Sequence, residues 1–147
     1  MVLYVQAMRL KSVFVLTTLL AAGTLGAAPA PDAAAGGRVF ELRTYTTAPG
    51  KLDALNARFR DHTIALFKKH GMEVVGFWEP LDKEAGAGEK LVYVLSHASR
   101  AAAEASWKAF REDPAWVKVK ADSEVNGPLT TKIESVFLAP TAYSPLK

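Results

Sequence analysis

The sequence KLVYVLSH at residues 90–97 decides the fold of this chain. A strand that buries only one face alternates apolar and polar residues, whereas residues 91–95 are apolar at every position. The segment EVVGFWE at residues 73–79 is nearly as apolar. Continuous apolar runs of this kind indicate two strands whose faces are both buried.

The residues around these two strands predict how they are connected. Residues 80–89 are polar and glycine-rich and predict a hairpin loop between them. Residues 99–112 predict a helix, which Pro114 interrupts before a short helical turn. Residues 130–138 then predict the last strand.

The preceding residues supply one more strand and one more helix. VFELRTYT at residues 39–46 alternates, which predicts a strand with an apolar face and a mixed face. The apolar face holds Phe40, Leu42 and Thr44, and the mixed face holds Glu41, Arg43 and Tyr45. Residues 51–70 carry apolar side chains three and four positions apart, which predicts a helix that ends at Gly71.

The resulting order, β-α-β-β-α-β, is that of the ferredoxin-like fold. We therefore predict an α+β domain over residues 38–140, with both helices on one face of a four-stranded antiparallel sheet, and a tail over residues 141–147. Such a domain leaves its second sheet face bare. At roughly 25 cal/mol per Å² of apolar surface, exposing two or three of these side chains forfeits several kcal/mol. We therefore expect a homodimer whose sheets pack face to face.

Residues 1–30 predict a secretory signal peptide. A positively charged segment precedes an apolar run at residues 13–25, and small residues place the cleavage between Ala27 and Ala30. The alternative is an uncleaved membrane anchor, but the run falls short of the roughly 20 residues that span a bilayer. Residues 31–37 predict a flexible linker. We expect an exported protein, periplasmic or secreted, with no transmembrane segment after cleavage.

The composition excludes several classes of protein. The chain has no cysteine, which excludes disulfides, zinc–thiolate sites and thiol nucleophiles. Its net charge is +3, but Arg9 and Lys11 lie in the predicted signal peptide, which has no acidic residue. The predicted domain is therefore close to neutral and has no basic run to follow a phosphate backbone. We expect no nucleic-acid partner.

Three blocks of this sequence resemble the NIPSNAP family. FELRTYT and PGK within residues 40–51 resemble the opening of the NIPSNAP domain. KHGM and VGFW within residues 69–78, and DPAW at residues 113–116, are similar to its later parts. The resemblance covers about residues 38–140. It implies a ferredoxin-like domain that dimerises into an α/β barrel, in a family with no settled reaction.

A first candidate site lies on the mixed face of the first predicted strand. Glu41, Arg43 and Tyr45 share this face, and we expect Glu134 of the last strand beside them. An arginine between two carboxylates, enclosed in a dimer barrel, can orient an acidic or carbonyl ligand through its planar guanidinium. The alternative, which we favour, is an ion-pair network that satisfies buried charges and fixes strand register.

His62 is the candidate for proton transfer, because it lies at the edge of the first helix's apolar stripe and imidazole titrates near neutral pH. The alternative, which we favour, is a core histidine with one satisfied hydrogen bond. No metal site is predicted. His62 and His70 would lie ~12 Å apart along a helix and about 80° around it, and His97 has no third ligand.

The large aromatic residues have two interpretations. Trp78, Tyr93, Trp107 and Trp116 can line an apolar pocket for a small molecule. If the protein is an enzyme, we expect Tyr45 and Trp78 to form the wall of its pocket. They can equally pack the core and the dimer interface, which is the interpretation we favour.

Three functions remain open at this stage. The first is a homodimer that binds a small apolar or carbonyl-bearing ligand in or beside its barrel without chemistry. The second is a cofactor-independent enzyme of the monooxygenase or isomerase type, in which Arg43 orients the substrate and His62 transfers a proton. The third is a protein-interaction module in the cell envelope. No cofactor is expected in any of them.

Overall fold

The computed structural model describes residues 37–147, so the predicted signal peptide and nearly all of the predicted linker lie outside the described residues. The described strands and helices are β1 (Val39–Thr47), α1 (Leu52–Arg58), a π-helical turn (Phe59–Thr63), α2 (Ile64–Lys69), β2 (Glu73–Trp78), a 3-10 turn (Lys83–Ala85), β3 (Lys90–His97), α3 (Arg100–Glu112), α4 (Pro114–Ser123) and β4 (Thr130–Leu138). None of the described helices is long and apolar enough to cross a membrane.

The four strands form one antiparallel sheet in the order β2-β3-β1-β4. The predicted α+β, ferredoxin-like arrangement is confirmed, and the apolar segment at residues 90–97 is a central strand. The helices pack on one face of the sheet. One element is longer than expected, because the short turn predicted after Pro114 is a ten-residue helix, α4.

A cluster of aromatic rings fills the space between the sheet and the helices. The ring centroid of Phe67 in α2 lies 5.1 Å from that of Phe110, 5.5 Å from Trp107, and 6.0 Å from both Phe59 and Tyr93. These separations are favourable for aromatic pairs. Phe67 is only 1% exposed. Its ring therefore joins α2, α3 and β3 in one core.

The helical segment between β1 and β2 contains a π-helical turn, and because of this turn one face of the whole segment stays buried. Leu55, Phe59, Thr63 and Phe67 are all buried, although each follows the previous one by four residues. In a regular α-helix these positions would rotate by about 120° around the axis from Leu55 to Phe67. The π-helical turn, Phe59–Thr63, takes in one extra residue and reduces this rotation to about 20°. All four side chains can therefore face the sheet.

Asp113 joins the ends of three helices. Its Oδ1 accepts a hydrogen bond from the Ala115 amide at the start of α4, and its Oδ2 lies 2.7 Å from both Lys69 Nζ and His70 Nε2 at the end of α2. Hydrogen bonds from Lys69, His70 and the Ala115 amide hold the pKa of Asp113 well below its ordinary value. The contact fixes the start of α4, and with it the position of Trp116.

The sheet face opposite the helices carries apolar side chains exposed to solvent. Leu42 in β1 stands between Val94 of β3 and Val136 of β4, and Val136 is 53% exposed. Trp78 in β2 is 52% exposed, and its ring lies over Gly76, where an added Cβ would meet the ring at 2.8 Å. We call this surface the open face. The helix side of β3 is fully buried from Leu91 to His97, whereas Val92 and Val94 on the open face are only partly buried.

We expect Phe67→Ala to lower the free energy of unfolding by about 3–5 kcal/mol, because truncation leaves a cavity among four rings. Urea denaturation followed by tryptophan fluorescence at a fixed protein concentration measures the change. Leu81→Ala is the control, since Leu81 is 95% exposed, and it should shift the free energy by less than about 0.5 kcal/mol. Equal effects of the two substitutions would contradict this description of the core.

Candidate functional site

Glu41 of β1 is buried beneath α3 with four hydrogen-bonding groups around its carboxylate. Its Oε1 accepts hydrogen bonds from Arg43 Nη1 and Ser135 Oγ, both at 2.6 Å. Its Oε2 accepts one from Trp107 Nε1 at 2.6 Å and lies 3.1 Å from His97 Nε2. The Glu41 side chain is 1% exposed. We call these five residues the Glu41 network.

The network keeps the Glu41 carboxylate ionised. Burial alone would raise its pKa, but hydrogen bonds from His97, Ser135, Trp107 and Arg43 outweigh burial and lower the pKa from 4.5 to about 2. A carboxylate with this pKa and with both oxygens occupied is a poor acceptor of a proton near neutral pH. The geometry therefore has the form of an ion-pair network that fixes strand register.

Arg43 is held between the sheet and α3. Its guanidinium carbon lies 4.2 Å from the centroid of the Trp107 ring, and its Nη2 donates to the Tyr45 hydroxyl at 3.4 Å. Its only carboxylate partner among the described residues is Glu41. Arg43 and Tyr45 thus lie on the side of the sheet that faces the helices.

The prediction that Glu134 shares this face is wrong. Glu134 pairs with Thr44, whereas Ser135 pairs with Arg43. Because cross-strand partners point to the same face, Glu134 lies on the open face, where Lys132 binds it at 2.8 Å. A shift of one residue in register moves a side chain to the other face. Ser135 therefore lies beside Glu41 and Arg43, at the position predicted for Glu134.

The expected core position of His62 is also wrong. His62 is exposed, on the outer side of the π-helical turn and one residue before buried Thr63. It lines a surface groove of about 480 Å³ between the π-helical turn and α4, together with Asp61, Lys118 and Asp122. Arg43 does not line this groove. Within residues 37–147, no three His, Asp or Glu side chains are arranged to hold a metal ion.

The four aromatic residues predicted to share a pocket are dispersed. Tyr93 is completely buried on the helix side of the sheet, and burial together with neighbouring Tyr45 raises the pKa of its hydroxyl. Trp107 belongs to the Glu41 network, and Trp78 lies on the open face. Trp116, at the start of α4, lines a pocket.

That pocket lies between the sheet and the helices and has a volume of about 150 Å³. We call it the inner pocket. Its walls are mainly aromatic and aliphatic, with three charged groups, and its lining residues are Tyr45, Arg58, Phe59, Thr63, Phe67, Phe110, Trp116, Lys120, Glu124, Pro128, Thr130 and Ile133. The π-helical turn shapes one wall, where Thr63 Oγ1 donates to the Arg58 carbonyl at 3.1 Å.

Several residues of these two sites were not predicted from the sequence. Arg58 could have been found, because it stands three residues after Leu55 in the apolar stripe of the first helix, where a charge is unexpected. His97 continues the alternation of Tyr93 and Leu95 on the buried face of β3. Ser135 has no signal in the sequence, since only the strand register brings it to Glu41.

We expect Glu41→Gln to lower the free energy of unfolding by about 3 kcal/mol at neutral pH, because it leaves Arg43 buried without its counter-charge. The difference from the wild type should narrow as the pH falls from about 4.5 to about 2. Over this range the unfolded chain binds a proton that folded Glu41 does not. Urea denaturation at a series of pH values measures both effects.

The matched control is Glu104→Gln. Glu104 is an exposed carboxylate of α3 whose partner is Arg100 on the preceding turn. Its substitution should change the free energy of unfolding by less than about 0.5 kcal/mol. A Glu41→Gln effect that stays constant down to pH 2 would contradict the assignment of the low pKa to Glu41.

The comparisons with known proteins agree with this fold. The family profile NIPSNAP matches residues 40–145. No curated protein matches the chain at a significant level. A NIPSNAP family protein of unknown function from Agrobacterium tumefaciens has a TM-score of 0.65 at 22% identity, over 77% of this chain and 96% of that one. A NIPSNAP-like domain protein from Burkholderia xenovorans has a TM-score of 0.63 at 16% identity, over 75% and 90%.

A more distant similarity is to a protein from Nitrosomonas europaea that is assigned by name to the antibiotic biosynthesis monooxygenases. Its TM-score is 0.53 at 12% identity, over 74% of this chain and 95% of that one. At these identities the solved structures show a common fold. The profile match covers most of the sequence, from the first strand to the tail. The chain therefore belongs to the NIPSNAP family.

Proposed function

We propose that this NIPSNAP protein is exported and acts as a homodimer in which each protomer binds a small apolar or carbonyl-bearing ligand. The inner pocket is the observation that carries this proposal. It is separate from the open face, so a dimer formed through that face leaves both pockets available. Pockets with apolar walls and a few polar groups are typical of small-molecule sites.

The size and lining of the inner pocket limit what it can bind. A cavity of about 150 Å³ lined by apolar side chains accommodates a molecule the size of benzene. Phe59, Phe110 and Trp116 provide such walls, while the hydroxyl of Thr130 can donate to a carbonyl oxygen. A ring-sized ligand with a carbonyl or related polar group fits this combination.

The open face supports the homodimer. Leu42, Val94 and Val136 form an apolar row across three strands, and Trp78 adds a large exposed ring on the same side. Apolar surface of this extent is typical of an interaction site. A second copy of the chain presents the same surface, and pairing two such faces buries both.

The geometry gives less support to an enzyme. The two residues predicted to act together, Arg43 and His62, lie in different places, with Arg43 paired to Glu41 and His62 exposed in the outer groove. Fold similarity to a protein named as a monooxygenase does not by itself transfer a reaction. Binding without chemistry is therefore the function we propose.

We expect native mass spectrometry of the mature protein, purified from its own host, to detect a dimer with a bound small molecule on each protomer. Ile133→Trp should abolish the added mass, because Ile133 lines the inner pocket and an indole there would fill it. Ile133→Val leaves the pocket open and should retain the ligand. A bare wild-type dimer that takes up nothing from a metabolite extract would contradict ligand binding.

We expect Val94→Asp to convert the dimer to a monomer, because it places a charge at the centre of the open face. Analytical ultracentrifugation at micromolar concentration measures the change. Lys118→Asp is the control on an exposed position of α4, on the opposite side of the sheet, and should leave the dimer intact. A wild-type protein that sediments as a monomer would contradict the proposed dimer.

A further inference from the structure

Arg58 is a buried arginine whose hydrogen-bonding capacity is only partly used. Its side chain is 5% exposed and lines the inner pocket. Both of its side-chain hydrogen bonds come from Nη1, one to Glu124 Oε1 at 2.9 Å and one to Ser123 Oγ at 3.3 Å. Its Nε is buried and has no hydrogen-bond partner in the part of the chain that the structure describes. A buried donor without a partner destabilises the protein, because it has lost its hydrogen bonds to water and gained none in return.

The charges around the inner pocket leave an excess of positive charge. Arg58 and Lys120 are the cations in its lining, and both donate to the same carboxylate, Glu124. These bonds outweigh the effect of burial and lower the pKa of Glu124. Glu124 is therefore ionised at neutral pH, and the three groups together carry a charge of +1. An anion is the ligand that would complete this set.

The surroundings of Arg58 also restrain its guanidinium. Its Cζ lies 5.3 Å from the centroid of the Trp116 ring, and that ring packs on Phe110 at a centroid distance of 4.5 Å. A guanidinium held against an aromatic ring keeps its planar set of N–H donors in one orientation. Such a set can bond two oxygens of a carboxylate or of a phosphate at once. The net charge of +1 around the pocket matches the single negative charge of a carboxylate, whereas a phosphate group carries close to two.

We infer, on the basis of the proposed function, that the ligand of the inner pocket is a small carboxylic acid with a ring-sized apolar body, and that Arg58 binds its carboxylate. The aromatic walls receive the apolar body. Arg58 forms the charged end of the pocket, and Lys120 adds to the positive charge there. Arg58 is in this way a specificity-determining residue, because it selects acids over neutral compounds of the same shape.

Benzoate and benzamide test this inference, since they share one ring and one carbonyl and differ in charge. Isothermal titration calorimetry on the mature wild-type protein should give a Kd for benzoate at least about tenfold lower than that for benzamide, because hydrogen bonds between charged groups are the stronger ones. Arg58→Lys keeps the charge but loses the planar donors. It should weaken benzoate binding by about tenfold and leave benzamide binding unchanged.

Arg60→Lys is the matched control, because Arg60 lies two residues further along, is 71% exposed and binds Asp61 on the surface. It should change neither Kd. Suppose that benzoate and benzamide bind the wild type with equal Kd values and that Ile133→Trp abolishes the binding of both. This result would overturn the choice of an acid, although the inner pocket would remain a binding site. No binding of either compound would overturn both the acid and the proposed pocket for ligands of this size.

Discussion

A carboxylate buried inside a protein must be given hydrogen-bond donors, and Glu41 obtains them only when four separate elements come together. Arg43 supplies one from β1, His97 one from β3, Ser135 one from β4 and Trp107 one from α3. If β1 slipped by one residue against both neighbours, Glu41 would face the other side of the sheet and lose the donors from β3, β4 and α3, while Arg43 would move with it. The network therefore fixes the register of three strands and the position of α3 above them.

A second constraint, the π-helical turn, connects this sheet to the inner pocket. Without the extra residue in that turn, Leu55 and Phe67 could not both face the core. With it, the residues just before and within the turn, including Arg58 and Thr63, line the pocket. Asp113 holds the opposite wall by fixing the start of α4. Single π-helical turns are frequent at functional sites, and here one shapes the wall of a pocket with an incompletely paired arginine.

The two sides of the sheet differ in what they carry and in the function that we propose for them. The helix side contains the core, the Glu41 network and the inner pocket, so the proposed ligand site belongs to a single protomer. The open side carries apolar residues such as Leu42 and Val136, and its proposed task is association. The charged side chains of β1, Glu41 and Arg43, lie on the helix side, where they pair with each other. From the sequence, this face could line a dimer barrel, whereas in the structure the helices of the same chain cover it.

The strands and helices and their order could be inferred from the sequence, because apolar periodicity and turn residues act over a few neighbouring positions. The family could be inferred from sequence blocks that resemble NIPSNAP, such as KHGM and VGFW within residues 69–78. The sequence also identified Glu41 and Arg43 as a charged pair, since their spacing of two places them on one strand face. It did not determine that Ser135, and not Glu134, meets Arg43, because strand register depends on partners about ninety residues away.

Only the tertiary structure placed His62 on the surface and Arg58 at the inner pocket, since both depend on one extra residue in a helical turn. It also separated Trp78 from Tyr93, which face opposite sides of the sheet. In each case one residue more or less in a turn, or a shift of one residue in strand register, changes the face on which a side chain lies. Packing between segments that are distant in sequence determines which of these arrangements forms.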